Sequence, residues 1–331
     1  MTTSTRYALL DAARQAIEAR DGHTAQRLLG MVLTQSPDHL EARHLAAFAA
    51  YCVAFGDRPI PNFDNALLTL CTGSGSSHLN IALALANGGH AEAAVMAFRT
   101  AALLDFHLVP VQGIGFGGPF NGQPLRAEAF RAIARTGRIA ELIETGAHRG
   151  TTTEFMARHV NCPVKTTERH RYYFEWTTLR FEDLRQMRCP WAANLELHNL
   201  DSRAFLAEMM RQPAPASGFS FFYLDAHGDY LEDRKVENPL LGEIRLIRPA
   251  RHHCIIMIDD TGVPDDPGYA FDNGNAFEDV APVFPHFDAW FLPQSARHES
   301  GSMRGCLVLS GSPETTALLS GVPELRRGEA G

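Results

Sequence analysis

Short apolar runs alternate with helical stretches through the second half of this chain, and this rhythm restricts the fold more than any other feature. The runs are rich in β-branched and aromatic residues, as strands are, and the stretches between them repeat apolar residues with a helical period. Such alternation predicts an α/β domain with a mostly parallel sheet and helices on both faces. The seven predicted strands are AELIET (140–145), VKTTE (164–168), LELHNLD (195–201), FSFFYLDA (219–226), CIIMIDD (254–260), AWFLP (289–293) and GCLVLS (305–310).

Residues 1–108 have a different pattern, because apolar residues recur there at helical spacing throughout. One apolar set recurs after an offset of 69 residues, close to two tetratricopeptide periods of ~34 residues each. We therefore predict an all-α, tetratricopeptide-like N-terminal domain, with an ordinary helical bundle as the alternative. The two matching sets are Ala25, Leu29, Val32 and Pro37, and Ala94, Phe98, Ala101 and Phe106.

Residues 109–125, VPVQGIGFGGPFNGQPL, contain a literal G-x-G-x-x-G at Gly113, Gly115 and Gly118. A dinucleotide-binding loop needs a strand directly before these glycines and a helix directly after them. Prolines on both sides of the glycines disagree with that context, so the sequence predicts a linker or lid. The resulting division is a helical domain at 1–108, this linker at 109–125, an α/β domain at 126–311 and a C-terminal tail at 312–331.

The first predicted strand leads into ETGAHRGTTTEF, which has the context that the linker lacks. Glu144 closes the strand, Gly146 makes the turn, and Gly150 and Thr151 open a helix whose first N–H groups are free to bind a ligand. A carboxylate beside the loop would repel a pyrophosphate and attract a cation. The pattern therefore favours S-adenosylmethionine, whose sulfonium and ammonium are positive, while the helix N-terminus takes its carboxylate.

Acidic residues also follow the next predicted strands, and ligands of open α/β sheets bind at the carboxyl ends of strands. Glu168 comes 24 residues after Glu144, close to the ~20-residue spacing of a carboxylate that binds ribose hydroxyls. Asp201 either contacts an adenine amino group or simply caps the following helix. Asp225 ends the fourth strand and is predicted to border the cofactor.

Three motifs, ETGAHRGTTTEF, YLDAH with PLLGEI, and IIMIDD, resemble those of class I S-adenosylmethionine-dependent methyltransferases near the macrocin O-methyltransferase group. The preceding GPFNGQPLRAEAF also resembles a segment of relatives of that group. The resemblance covers about residues 126–310. It implies a Rossmann-like, seven-stranded methyltransferase sheet and S-adenosylmethionine as the cofactor.

Asp225, Asp259 and Asp260 are the candidate metal ligands. Carboxylates that converge at neighbouring strand ends repel one another unless a cation or protons neutralise them, and Mg²⁺ prefers oxygen ligands. In the macrocin group and in catechol O-methyltransferase, carboxylates at these strand ends hold Mg²⁺, so the resemblance implies the same here. The alternative is that these residues bind substrate or cap helices with no metal.

His227 and Asp225 are the candidate catalytic residues. A histidine titrates near neutral pH and can take the proton of an acceptor hydroxyl. Catechol O-methyltransferase has a lysine one position further on, so His227 departs from that pattern. A histidine that only packs or hydrogen-bonds in the loop is the alternative.

The overall charge excludes some classes of partner. The net charge is −8, from 30 basic and 38 acidic residues, which argues against nucleic acid and anionic membranes. The start, MTTSTRYALLDAARQ, has no basic region followed by an apolar run, so we expect no signal peptide. The six cysteines form no C-x-x-C pair, which argues against a zinc site and predicts a reduced, cytoplasmic protein.

The sequence as a whole predicts an O-methyltransferase that acts on a hydroxyl of a sugar or polar small metabolite, with Mg²⁺ as an optional second cofactor. The N-terminal helices offer a surface for a protein partner. The rival hypothesis is an interaction module whose methyltransferase-like domain is catalytically silent. A dinucleotide oxidoreductase is disfavoured because Glu144 precedes the loop.

Overall fold

The computed structural model describes residues 3–37, 39–59, 68, 74–105, 118–226, 238–262, 280–283, 289–294 and 305–328. The chain divides into two compact units, Met1–Val109 and Pro110–Gly331. Most of the predicted linker, including Gly113 and Gly115, lies outside the described residues. None of the described helices is long and apolar enough to cross a membrane.

All the regular secondary structure described in the first unit is helical. The repeated apolar pattern lies on two of its helices, and its first three positions in each copy are buried. An ordinary bundle would bury the same residues, so the tetratricopeptide-like arrangement and a protein partner for it stay predictions. The helices are α1 (Thr3–Glu18), α2 (Gly22–Gln35), α3 (Leu40–Phe55), α4 (Ser74–Asn87) and α5 (Ala91–Asp105).

The second unit alternates strands and helices, and its first seven strands coincide with the seven predicted runs to within a few residues. Its helices are α6 (Pro124–Ala134), α7 (Thr151–Ala157), α8 (Arg171–Gln186), α9 (Ser202–Met210), α10 (Leu240–Ala250) and α11 (Pro313–Ser320). Its strands are β1 (Ile139–Thr145), β2 (Val164–Thr167), β3 (Leu195–His198), β4 (Phe219–Leu224), β5 (Cys254–Thr261), β6 (Ala289–Pro293), β7 (Gly305–Ser310) and β8 (Leu325–Arg327).

The strands form one sheet in the order β3-β2-β1-β4-β5-β7-β6-β8. Strands β1 to β5 run parallel to one another, whereas β7 runs antiparallel to both β5 and β6. The order β3-β2-β1-β4-β5 is that of a doubly wound Rossmann-like sheet, whose order reverses between β1 and β4. The predicted α/β architecture is confirmed, and the reversal marks where such sheets bind ligands.

The predicted count of seven strands is wrong, because β8 adds an eighth. It pairs antiparallel with β6 at the edge of the sheet and lies in the segment predicted only as a C-terminal tail, which also contains α11. Its three residues, Leu325–Arg327, include two arginines and have no strand-like alternation. Pairing with β6 rather than local sequence makes this segment a strand.

Alternation along the strands divides the core into two layers. One layer covers the sheet face that carries Leu142, Phe221 and Met257, and the other covers the face that carries Ile143 and Phe222, with all five fully buried. Side chains two positions further along each strand share the same face. The first face therefore also carries the functional side chains at the ends of β1, β4 and β5.

At the opposite end of the strands, a buried ion pair ties the second layer together. Arg251, only 2% exposed, follows α10 and pairs with Glu141 of β1. The same glutamate accepts a hydrogen bond from Ser220 of β4, and Arg251 also donates to the carbonyls of Met209 and Gln212. This arginine thus joins two strands to the ends of α9 and α10.

We expect Arg251→Met to lower the free energy of unfolding by about 3–5 kcal/mol, because it leaves the Glu141 charge without its buried partner. Urea denaturation measures the loss. Arg245→Met on the exposed face of α10 is the control and should change stability by at most about 0.5 kcal/mol. Equal effects of the two substitutions would contradict a structural role for the ion pair.

Candidate functional site

The candidate site lies at the carboxyl ends of β1 and β4, where the strand order reverses. Gly146 follows β1 with φ +84°, and a Cβ there would lie 2.2 Å from the carbonyl oxygen of Asp225. Its N–H and that of Ala147 bind the carbonyl of Thr167 at the end of β2. The predicted glycine is therefore required by its backbone conformation and by the close approach of the chain after β4.

Gly150 and Thr151 open α7 as predicted. Gly150 is the residue before the helix and has φ +72°, and a Cβ there would lie 2.9 Å from the methyl group of Thr177. Thr151 is the first residue of α7 and is half-buried. The ETGAHRG loop is thus a tight connection that sets α7 against α8.

Glu144 is the most unusual group of the site. It is 1% exposed, and one carboxylate oxygen, Oε2, accepts hydrogen bonds from Thr153 (2.5 Å) and Thr166 (2.6 Å). The other oxygen, Oε1, is also buried but has no hydrogen-bond partner within the described part of the chain. Burial raises the pKa of Glu144 to about 7, with a contribution from Glu168 and against the effect of the two threonine hydrogen bonds.

Glu168, directly after β2, binds backbone in this structure. Its two carboxylate oxygens accept the N–H groups of His148 (2.8 Å) and His170 (2.7 Å). It therefore fastens the loop after β1 to the loop after β2. A carboxylate can accept about four hydrogen bonds, so the two backbone contacts are compatible with the predicted contact between Glu168 and ribose hydroxyls. That contact stays a prediction.

Asp201 acts as the N-cap of α9. Its side chain accepts the backbone N–H of Arg203 at 3.0 Å and lies 3.4 Å from the guanidinium Nε of the same residue. This is the capping role that the sequence left open as one of two alternatives. The carboxylate also remains 37% exposed, and its predicted contact with adenine stays a prediction.

Tyr223 bridges the ends of β4 and β5. Its hydroxyl donates to Asp259 at 2.7 Å and lies 3.4 Å from Asp225. Burial, followed by the charges of Asp225 and Asp259, raises the pKa of Tyr223 well above its usual value, so the phenol stays protonated and remains a donor. Partial burial and the carboxylates of Asp259, Asp260 and Glu144 likewise raise the pKa of Asp225 well above its usual value. We call Glu144, Asp225, Asp259 and Asp260 the acidic rim.

Arg126 of α6 is a site residue that the sequence reasoning missed. Its guanidinium forms an ion pair with Asp259 across 133 positions of sequence, and its side chain is 2% exposed. The arginine stands in the GPFNGQPLRAEAF motif, but nothing in the spacing of that motif shows that it is buried against β5. Tyr223 was missed for a related reason, because an aromatic residue in an apolar strand is expected to serve only the core.

The predicted metal ligands meet at the acidic rim but do not fit a divalent ion as arranged. Both oxygens of Asp259 are engaged, one by Arg126 and by the N–H of Asp260 (2.7 Å), the other by Tyr223. Among the residues that the structure describes, no group of three or more His, Cys, Asp or Glu could hold a metal ion. We therefore derive no chemical step through a metal.

His227 lies outside the described residues, two positions beyond Asp225. Its role as a base stays a prediction. Asp225 itself follows β4 and is partly buried, with its backbone N–H bound to the carbonyl of Thr145 on β1. That bond sets the start of the loop after β4 beside the end of β1.

The segment before α6 covers this end of the sheet. Phe120 is fully buried, its N–H donates to the hydroxyl of Thr152 on α7 (3.0 Å), and its ring packs edge-on against Tyr223 (5.1 Å). Phe120 and Asn121 have φ values of +50° and +56°, which are costly for residues with side chains. The described end of the predicted linker is therefore packed against the site rather than free in solvent.

No protein-family model matches the chain, and no curated protein matches it. Solved structures that it resembles include cofactor-bound Rv0187 from MTB, with 18% identity over 67% of this chain and 89% of that chain and a TM-score of 0.39. An O-methyltransferase from Bacillus cereus in complex with SAH has 16% identity over 65% and 88%, with a TM-score of 0.40. TomG, an O-methyltransferase from Streptomyces achromogenes in complex with SAM, has 15% identity over 69% and 88%, with a TM-score of 0.38. At these scores the likeness carries no argument about activity.

We expect the stability gained by Glu144→Gln to grow as the pH rises from about 4.5 to about 7. In the unfolded chain Glu144 loses its proton near 4.5, whereas in the folded chain it keeps the proton to about 7, so ionisation progressively destabilises the wild-type fold across this window. Glutamine cannot ionise. A difference of roughly 2.5 pKa units corresponds to about 3 kcal/mol above pH 7.

Urea denaturation of both proteins at several pH values, without added ligand, measures this difference. Glu208→Gln on the exposed face of α9 is the control, and its effect on stability should not vary across the window. A Glu144→Gln effect that is equally independent of pH would contradict a buried, nearly neutral carboxyl group.

Proposed function

We propose that this chain is an S-adenosylmethionine-dependent O-methyltransferase that transfers a methyl group to a hydroxyl of a sugar or polar small metabolite. The observation that carries the proposal is Glu144 at the end of β1, a buried carboxylate with one oxygen that has no hydrogen-bond partner among the described residues. A group of this kind is costly to the apo fold, and a ligand that donates to it removes the cost. Its position at the reversal of strand order is where doubly wound sheets bind ligands.

The charge around Glu144 supports a cationic ligand. Asp225 and Glu168 lie near it, as their effects on the pKa values at the site show, and Arg126 is already paired with Asp259. A negatively charged ligand would meet these carboxylates unfavourably, whereas an ammonium or sulfonium would stabilise their ionised forms. This preference separates S-adenosylmethionine from a dinucleotide with its pyrophosphate.

Each residue at the site has a separate role in binding the cofactor. When bound, S-adenosylmethionine supplies a methyl group activated by a positive sulfur. Glu144 would accept an N–H of the ligand's ammonium, and Asp225 would border the ligand where β1 and β4 part. Gly146 would let the backbone approach the ligand closely, and Glu168, which holds the two neighbouring loops in place, would accept from the ribose hydroxyls.

Transfer to an acceptor hydroxyl also needs its proton to move to a base, and His227 is the proposed base because it follows Asp225 by two positions. Most of the rate enhancement would come from holding the hydroxyl oxygen in line with the methyl group. The first residues after β1, β2 and β4 would supply that rigidity, since each of these described starts is fastened by a backbone hydrogen bond to a neighbouring strand.

Calorimetry with S-adenosylmethionine and S-adenosylhomocysteine, on protein freed of copurified ligand, tests the proposal. We expect wild type to bind both, and Glu144→Gln to bind about 10- to 100-fold more weakly, because a hydrogen bond to a charged group contributes roughly 1.5–3 kcal/mol. Glu208→Gln is the matched control and should bind as wild type does. Saturable binding that Glu144→Gln leaves unchanged would refute the site, and no binding by wild type would refute the function.

We also expect wild-type affinity for S-adenosylmethionine to increase as the pH is raised through about 7, the pKa of Glu144 in the free protein. Below that pH the carboxyl group must lose its proton before it can pair with a cation, so binding releases protons and is weaker. Calorimetric titrations on both sides of this pH measure the change. The affinity of Glu144→Gln should lack this component of the pH dependence.

A further inference from the structure

The acidic rim already holds a cation, and the chain itself supplies it. We propose that the guanidinium of Arg126 occupies the place at Asp259 that a divalent metal ion would need, so that this site works without a metal. The proposal rests on the contacts among Arg126, Tyr223, Asp259 and Asp260, and it goes beyond the methyl transfer proposed above.

Both carboxylate oxygens of Asp259 already accept hydrogen bonds. One oxygen, Oδ1, accepts from the Arg126 guanidinium and from the N–H of Asp260, and the other, Oδ2, accepts from the Tyr223 hydroxyl. The Arg126 and Asp259 side chains are 2% and 5% exposed, so water does not compete for these contacts. Three of the about four acceptor positions of Asp259 are therefore filled, and a metal ion that bound both of its oxygens would have to displace a buried guanidinium or a buried phenol.

Displacement of Arg126 is opposed by the way α6 is held. Phe130, one turn further along this helix, packs with its ring 5.2 Å from Phe221 of β4 and 6.0 Å from Phe120. Arg126 therefore comes from a helix that is anchored in the core, not from a mobile loop. Moving it out would leave both its own charge and that of Asp259 without a buried partner, which is strongly destabilising.

Electrostatics adds to this steric argument. A divalent ion bound to Asp225 and Asp259 would lie within a few ångströms of the Arg126 guanidinium, with little water between them to screen the repulsion. The guanidinium of Arg126 thus offsets the repulsion among the converging carboxylates without a metal ion. Arginine suits the position, because its planar head can donate to a carboxylate and its charge is never lost by deprotonation.

One consequence concerns the acceptor and rests on the proposed methyl transfer. A metal can activate a hydroxyl by binding it, often together with an adjacent oxygen of the same molecule. With Arg126 in that place, an acceptor needs no pair of adjacent oxygens to chelate an ion. The acceptor class that fits is a single hydroxyl whose proton passes to a protein base.

Metal binding is tested on the full chain after treatment with EDTA and removal of the chelator. Mn²⁺ is titrated while the signal of the free ion is followed by electron paramagnetic resonance, and Mg²⁺ is titrated in a calorimeter. We expect no saturable binding by wild type or by Arg126→Lys, which keeps the positive charge. Arg126→Met should gain saturable Mn²⁺ binding at least about tenfold tighter than any shown by wild type, which requires only ~1.4 kcal/mol of relieved repulsion.

The double variant Arg126→Met with Asp259→Asn removes both buried charges together and should lose the gained Mn²⁺ affinity. It also guards against failure of Arg126→Met to fold, because removing both charges avoids an unpaired buried carboxylate. If Arg126→Met does not fold, the Mn²⁺ titration of wild type tests the proposal. Saturable Mn²⁺ binding by wild type that Asp259→Asn abolishes would overturn the proposal, as would a folded Arg126→Met variant with no gain.

Activity gives an independent result. Methyl transfer by wild type to a hydroxylated acceptor should be unchanged by EDTA, and activity lost with EDTA and restored by Mg²⁺ would overturn the metal inference while supporting the proposed function. Absence of transfer under both conditions counts against the proposed function alone, since the Mn²⁺ titrations do not depend on turnover.

Discussion

Repulsion among carboxylates at one end of a parallel sheet is the constraint on which the rest of this site depends. Parallel strands bring their carboxyl ends to a common edge, so acidic residues that are far apart in sequence become neighbours there. Glu144, Asp225 and Asp259 share one face of the sheet, and the burial of Glu144 and Asp259, with the partial burial of Asp225, removes much of the water that would otherwise screen them. Such a cluster persists only with counter-charges or protons, and the structure uses both.

Asp259 and Glu144 differ in how their negative charge is neutralised. Asp259 is neutralised by Arg126 and holds two further donors, whereas Glu144 has two threonine donors on one oxygen and none on the other within the described residues. Glu144 therefore lies near half-ionised at neutral pH, since its pKa is about 7. Perturbed groups of this kind concentrate at functional sites because they bind ligands at a cost to stability. The fully paired Asp259 has the opposite character and serves to hold α6, β4 and β5 together.

The sequence was sufficient for most of the sheet, since β4 to β7 are apolar runs that are buried along their whole length and need no distant partner to be recognised. It was insufficient for β8, which becomes a strand only by pairing with β6. The acidic ends of the strands and the two loop glycines could also be located from sequence. Their partners could not, because Arg126 meets Asp259 across 133 positions and no local pattern records which side chain a carboxylate will face. For the same reason the sequence could assign Asp259 to a metal when the fold pairs it with an arginine.

The packing of the segment before β1 follows from the same electrostatics. A buried arginine must come from an element that is fixed in the core, and Phe120 and Phe130 fix this one on either side of Arg126. The left-handed backbone at Phe120 and Asn121 costs free energy that the apolar burial of Phe120 and its hydrogen bond to Thr152 offset. With Asp259 paired in this way, Glu144 and Asp225, on either side of the point where β1 and β4 part, are two rim carboxylates for which a ligand can supply positive charge. A ligand with one or two positive groups suits these two carboxylates, whereas a divalent ion at Asp225 and Asp259 would add its charge beside that of Arg126 where little water screens the repulsion.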